Sequence, residues 1–136
     1  MNYTSMILIM FVSGLLSSMY IWADKASDIR ISINDFYMIF LMTAWMYFFM
    51  ALLHKDTRIL AISALILAAL YYAIRNQIFI TADQYFKGMI PHHSMAILTS
   101  KRLLQNHPRL TDEERTFVKN IITTQEREIQ WMKLRE

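Results

Sequence analysis

Four side chains that can coordinate a metal ion lie close together in the C-terminal part of the chain. Two adjacent histidines, His92 and His93, have a methionine on either side, Met89 and Met95. Side chains three or four residues apart share one face of a helix, so this spacing brings thioether and imidazole groups together. Thioether with imidazole suits Cu(I), whereas imidazole with carboxylate suits Cu(II), zinc or iron. The spacing therefore indicates a transition-metal site, with copper as the first choice.

A second set of candidate ligands lies further along the chain. Gln125, Glu128 and Met132 are spaced so that they share one face of a second helix. In an antiparallel pair of helices, this face can lie opposite the histidines. The structural alternative is that the histidine pair begins a helix and Met132 fills the core, which is a common use of methionine. The spacing leaves both interpretations open.

The helices that carry these residues can be predicted from turn and cap signals. Pro91 is tolerated in the first turn of a helix and predicts that one runs over 92–105. Thr111 with Glu114 forms a capping box that begins a second helix with apolar residues every three or four positions. Residues 83–136 are therefore predicted to form a helical hairpin. Two helices bury little surface, so we expect a third partner, either a continuation of the preceding apolar segment or another copy of the chain.

The residues before this hairpin have the composition of a membrane region. Hydrophobic residues make up 55% of the chain and charged residues 18%. Three apolar segments are each long enough, as a helix, to cross a hydrocarbon core of about 30 Å. They cover residues 3–22, 36–53 and 59–80. The third contains Arg75, whose long side chain can reach the interface. The sequence thus predicts an all-α protein with a three-helix transmembrane region, 1–82, and a hairpin domain, 83–136.

The composition also excludes several classes of protein. The chain has no cysteine, so it contains no disulfide, thiolate zinc site or cysteine-bound iron–sulfur cluster. A net charge of +3, with acidic residues mixed among the basic ones, does not indicate a nucleic-acid partner. No glycine-rich phosphate loop, nucleophile elbow or Glu-x-x-His pair is present. These absences favour a role that is not enzymatic.

The two sets of candidate ligands, with the residues around them, resemble the domain-of-unknown-function 305 family. The resemblance covers residues 83–136 and rests on two motifs that occur in the right order. The motifs are Met89-Ile90-Pro91-His92-His93 with Ala96-Ile97, and Ile121-Ile122 with Gln125, Glu128-Ile129 and Met132. The resemblance implies a ferritin-like helical bundle. Some members of the family are extracytoplasmic proteins that bind copper through His and Met side chains.

The resemblance also implies which residues would hold the metal, and one position departs from the family pattern. The implied residues are Met89, His92, His93, Gln125, Glu128 and Met132. The family commonly carries methionine where Thr99 stands in this chain, whereas Met95 lies one turn nearer the histidines. Either the thioether has moved along the helix or the site has lost a ligand.

These observations predict a membrane-anchored protein that binds a transition metal, copper before zinc or iron, with metal homeostasis or resistance as its role. The alternative is a small structural or accessory subunit of a membrane complex that binds no metal. The expected partners are membrane lipid and either further copies of the chain or a larger membrane complex. The count of Lys and Arg near the segment ends weakly favours a cytoplasmic hairpin. The His/Met ligand set and the family resemblance favour the extracytoplasmic, periplasmic side, which is the orientation we predict.

Overall fold

A computed structural model describes residues 3–136, and every regular element in that range is helical. The predicted all-α fold is therefore confirmed. The helices are α1 (Tyr3–Leu16), α2 (Ile33–His54), α3 (Thr57–Arg75), α4 (Ala82–Asn106) and α5 (Asp112–Lys133), with 3-10 turns at Met19–Trp22 and Ala26–Asp28. The chain divides into two compact units. The three-helix unit contains α1, α2 and α3, and the hairpin unit contains residues 19–32 together with 81–136.

Three segments are long and apolar enough to cross a membrane, which is compatible with membrane association. They are Ser5–Trp22, Ile33–His54 and Thr57–Arg75. Within the three-helix unit, α2 and α3 form an antiparallel pair. Asp56 caps the start of α3, where its side chain accepts a hydrogen bond from the Ile59 amide at 3.1 Å. Many large apolar side chains of these helices are exposed, as they are in a helix that faces lipid.

Helices α1 and α2 contact each other closely at one glycine. Gly14 is buried, and a Cβ atom placed on it would lie 2.9 Å from Cγ1 and 3.0 Å from Cγ2 of Ile39. Ile39 is itself only 2% exposed, so it has little room to move away. The absence of a side chain at Gly14 therefore sets the distance between the two helices, as small residues do at helix contacts in membranes.

The third apolar segment ends earlier than its sequence predicts. We expected helix as far as residue 80, but α3 ends at Arg75. The side-chain amides of Asn76 and Gln77 donate to the last carbonyls of α3, at 2.8 and 2.7 Å. Gln77 and Phe79 then adopt positive φ angles of 49° and 62°. A right-handed helix cannot continue through left-handed residues, so the prediction beyond Arg75 is wrong.

In the hairpin unit, α4 and α5 run antiparallel, as predicted. The capping box at the start of α5 is confirmed: the Glu114 amide donates to Thr111 Oγ1 at 3.2 Å, and the Thr111 amide donates to Glu114 Oε2 at 2.8 Å. This backbone hydrogen bond, with one from the Thr111 hydroxyl, lowers the pKa of the Glu114 carboxyl. The buried core between the two helices consists of Ile90, Ile97, Ile129 and Met132.

The start of α4 differs from its prediction. We expected the helix to begin at Pro91, but it begins at Ala82, where Thr81 caps it by accepting from the Gln84 amide at 3.3 Å. Pro91 lies inside the helix and is buried. A proline there removes one backbone hydrogen bond and usually bends or breaks a helix. The apolar contacts between α4 and α5, which involve the neighbouring Ile90, hold the helix together through this position.

The third partner of the hairpin is a segment that the sequence did not indicate. Residues 19–32, which link α1 to α2, pack against α4 and belong to the same compact unit. Three acidic or basic side chains of this link make ion pairs with the hairpin. The pairs are Asp24 with Lys101 at 2.7 Å, Asp28 with Lys133 at 2.5 Å, and Arg30 with Glu136 at 2.7 Å.

The contact at Gly14 gives a first prediction. Gly14→Ala should lower the free energy of unfolding by about 1–3 kcal/mol, because the added methyl group overlaps the side chain of Ile39. The loss should be smaller when Ile39→Ala is also present, since the clashing atoms are then gone. Ser13→Ala, at an exposed neighbouring position, is the control and should have little effect. Thermal unfolding in mild detergent, followed by circular dichroism, measures wild type, the three single variants and the Gly14→Ala/Ile39→Ala double variant. Equal stability of Gly14→Ala and wild type would contradict the close contact.

Candidate functional site

His93 is held between the backbone of its own helix and a carboxylate of the facing helix. Its Nδ1 lies 2.8 Å from the carbonyl oxygen of Met89, and its Nε2 lies 2.9 Å from Oε2 of Glu128. A carbonyl oxygen only accepts, so Nδ1 carries a hydrogen and donates it. This bond fixes the orientation of the ring and directs Nε2 at α5. The imidazole is 12% exposed and the carboxylate 49% exposed, so solvent reaches the pair from the side of Glu128.

The geometry of this pair suits the beginning of a metal site. Bonds of about 2.0–2.2 Å to one ion place neighbouring nitrogen and oxygen ligands roughly 2.8–3.5 Å apart. A histidine that binds metal through one nitrogen typically donates from the other to a backbone carbonyl or carboxylate, as His93 does to Met89. Because the hydrogen bond to Met89 occupies Nδ1, Nε2 is the ring nitrogen that a metal ion would use.

The other predicted ligands are not seen to converge on this pair. The His92 side chain is exposed, and its ring centre lies 6.1 Å from that of His93. Met132 is buried in the hairpin core, and Met89 packs against the same core. Met95 and Gln125 are half-buried. Within residues 3–136, no three His, Asp or Glu side chains come together in a way that could hold a metal ion. The structure thus brings two donors together, with a second imidazole ring centred 6.1 Å from that of His93.

Directly after His93, a buried serine connects α4 to the link. Ser94 is fully buried; its hydroxyl donates to Asp28 Oδ2 at 2.6 Å and accepts from the Asp24 amide at 2.9 Å. The other oxygen of Asp28 accepts from the ammonium group of Lys133 at 2.5 Å. We call Asp28, Ser94 and Lys133 the carboxylate clamp. Sequence reasoning missed it, because no local spacing rule relates residues so far apart in the chain.

Comparison with known proteins agrees with the motifs. Residues 73–134 match the family described as Domain of unknown function (DUF305). The chain is also similar to "Uncharacterized protein L153" of Acanthamoeba polyphaga mimivirus, with 43% identity over 139 residues that cover 94% of this chain and 89% of the viral protein. Residues 73–134 of the chain are therefore a DUF305 domain, and the whole chain belongs to one family with the viral protein. No solved structure matches it with statistical significance.

The DUF305 match covers the hairpin and its ligand motifs, and the viral relative also covers the apolar segments. The DUF305 match contains His92, His93 and Glu128. It also contains two members of the carboxylate clamp, Ser94 and Lys133. Asp28 lies outside it, in the link. Asp28, which completes the packing of the hairpin, therefore comes from the link and not from the DUF305 match itself.

The negative charge of Asp28 is stabilised by the groups around it. Burial by itself raises the pKa of Asp28, because it disfavours the ionised form. The hydrogen bonds from Lys133 and Ser94, with the charges of Lys133 and Lys25, outweigh burial, so the pKa lies below its ordinary value. On the surface nearby, the hydrogen bond to Glu136 raises the pKa of Arg30. Asp28 is thus ionised at neutral pH, and its charge is compensated within the hairpin unit.

The clamp gives a second prediction. Asp28→Asn keeps the size of the side chain and an acceptor for Ser94 but removes the charge that faces Lys133. At pH 7 it should lower the free energy of unfolding by about 1–3 kcal/mol. A carboxyl with a lowered pKa stabilises the fold above its ordinary pKa, 3.8 for Asp28, and this contribution is lost as the pH falls below that value. The difference between variant and wild type should therefore shrink below about pH 4.

Chemical denaturation in detergent at several pH values measures this difference. Glu113→Gln, which changes an exposed acid of α5, is the matched control and should shift stability little. A difference between Asp28→Asn and wild type that is the same at pH 3 and pH 7 would show that the charge of Asp28 is not what stabilises the unit.

Proposed function

We propose that the chain is a membrane-anchored protein that binds a transition metal, with copper as the first choice and zinc or iron as alternatives. The observation that carries the proposal is the pair formed by His93 and Glu128, whose donor atoms lie 2.9 Å apart. One donor comes from α4 and the other from α5, so an ion would bind across the hairpin. Such a site suits metal homeostasis or resistance rather than catalysis.

The remaining ligands would come from the neighbouring predicted residues. A carboxylate and one imidazole leave two positions of a four-coordinate ion to fill. For Cu(II) or zinc, His92 is the suitable neighbour, with Gln125 as an oxygen donor. For Cu(I), the thioethers of Met89, Met95 and Met132 are suitable. Because Met89 and Met132 are in contact with the apolar core, they favour a soft ion that needs little water around it.

The packing of the link supports a membrane arrangement with three crossings. Residues 19–32, the link, hydrogen-bond to α4 and α5 of the hairpin. The link and the hairpin must therefore lie on the same side of a membrane. The chain between them contains α2 and α3. A chain that leaves one side and returns to it crosses an even number of times, so α2 and α3 either both cross or both remain outside. Since both are long and apolar enough, we propose that both cross and that the segment Ser5–Trp22, which contains most of α1, is the third crossing.

We propose that the hairpin unit lies outside the cytoplasm, on the periplasmic side. The candidate ligands are imidazole, thioether and carboxylate, and the chain has no cysteine. Thioether and imidazole ligands form no disulfides in an oxidising compartment, whereas free thiols do. The metal would then be bound where it first meets the outer face of the membrane.

The metal proposal gives a third prediction. His93→Ala should lower the affinity for metal by at least about 100-fold, because it removes a ligand and the ring that faces Glu128. Glu128→Gln should lower it less, since the imidazole remains. His107→Ala is the control, because His107 is exposed at the end of α4, away from the site. Calorimetric titration of the protein in mild detergent, with Cu(I) and with zinc, measures these affinities. Equal affinities for the His93 and His107 variants would contradict the site.

Self-association is a further part of the proposal and gives a fourth prediction. Each hairpin supplies two converging donors and leaves Phe117 and Leu103 exposed on its helices. A second copy would cover such side chains and would double the number of ligands. We expect light scattering in detergent to give the mass of two or more protomers, and fewer bound ions than chains. A mass of one protomer, with one ion bound to each chain, would contradict the assembly and leave the metal site intact.

A structural role is the second candidate function, and one observation favours it. Both ring nitrogens of His93 already have partners, and Met132 is part of the core. Without any metal, these contacts would hold α5 against α4. The chain would then be a small accessory subunit of a membrane complex. If the wild-type protein binds no metal and His93→Ala only lowers the stability of the hairpin, this role replaces metal binding.

A further inference from the structure

One end of the hairpin unit exposes a group of large apolar side chains. We call it the end patch. Its members are Ile29 and Ile31 of the link, Tyr85 at the start of α4, and Trp131 and Leu134 at the end of α5, which are 45%, 49%, 48%, 49% and 83% exposed. Exposed apolar residues that occur singly need no explanation, but a group of this kind on one end of a unit marks an interaction surface.

Contacts within the unit bring the members of the end patch together. The ring of Trp131 packs edge-on against Phe86 with centres 5.7 Å apart, and Phe86 is 5.9 Å from Tyr85. The link reaches the same end through the ion pair between Arg30 and Glu136 at 2.7 Å. The start of α4, the end of α5 and the end of the link therefore contribute to one surface.

Basic groups lie at the edge of the end patch. The guanidinium carbon of Arg135 is 3.6 Å from the centre of the Trp131 ring, a cation–π contact. Arg30 contacts Glu136 beside it. Tryptophan, tyrosine and basic side chains next to aliphatic ones are the composition found where proteins meet the headgroup region of a bilayer.

We propose that the end patch inserts into the interface of the lipid bilayer, with its apolar side chains at the boundary between headgroups and acyl chains. The chain itself argues for lipid as the partner. Ile31 lies two residues before the start of α2, one of the segments that can cross a membrane, so this part of the patch is covalently held near the bilayer surface. The inference rests on the membrane crossing of α2 that forms part of the proposed function. It does not depend on metal binding.

The three tryptophans of the chain provide the test. They are Trp22, Trp45 and Trp131. One variant keeps only Trp131, with Trp22→Phe and Trp45→Phe. A second keeps only Trp45, which lies in the middle of α2 and reports whether that helix crosses the membrane. A third replaces all three by Phe and carries Phe117→Trp, which reports on an exposed aromatic position near the other end of α5. Circular dichroism confirms that each variant is folded.

The proteins are reconstituted without metal into vesicles of phosphatidylcholine that carries bromine atoms at a shallow or a deep position of its acyl chains. We expect Trp45 to be quenched. Fluorescence from Trp131 should fall at least twofold with shallow bromine and less with deep bromine. The Phe117→Trp protein should be unaffected by either. This result would place the end of α5, and not its start, in the bilayer interface.

Three other results would overturn the inference. If Trp45 is quenched but Trp131 is not, the helix crosses the membrane and the end patch does not touch lipid. If the Phe117→Trp protein is quenched as strongly as Trp131, the contact is not specific to the end patch. If Trp131 is shielded from acrylamide but insensitive to bromine, another protein surface covers the patch. Loss of quenching at Trp45 itself would remove the membrane crossing, and with it this part of the proposed function.

Discussion

The hairpin unit depends on one buried carboxylate. Asp28 is 3% exposed and charged, and a charge taken out of water must be compensated by partners close to it. Its partners, Ser94 and Lys133, come from α4 and α5. Three separate pieces of chain must therefore meet at one point before the charge is satisfied. An apolar core of four side chains would allow many packings, but the directional bonds to Asp28 allow few.

The carboxylate clamp also determines where the candidate metal ligands lie. Consecutive residues of a helix are rotated by about 100° around its axis. Because Ser94 is fixed towards the link, the preceding residue, His93, is turned towards α5, where it meets Glu128. The same arrangement serves both functions considered for the chain. An ion that enters from the exposed side of Glu128 would meet an imidazole already oriented by the Met89 carbonyl, and without an ion the same contacts hold the two helices together.

The features that the sequence predicted correctly are those governed by neighbouring residues. The capping box at Thr111, the hairpin and the apolar segments all follow from short-range spacing. The errors arise where distant contacts override local preference. Pro91 indicated a helix start, but packing against α5 carries α4 through it. The pairing of His93 with Glu128 agrees with the predicted facing of the two motifs, whereas the role of the link depends on contacts that no periodicity reveals.

The position of Asp28 in the chain has a consequence for the order in which the protein folds. Asp28 and Lys133 are separated by 105 residues, and α2 and α3 lie between them. During synthesis the link emerges long before its partners, so its carboxylate remains hydrated until α5 has been made. Contacts between residues this far apart in sequence close slowly, because a long loop must be ordered first. The hairpin unit is therefore the last part of the chain to become native, after its helical neighbours have formed through local contacts.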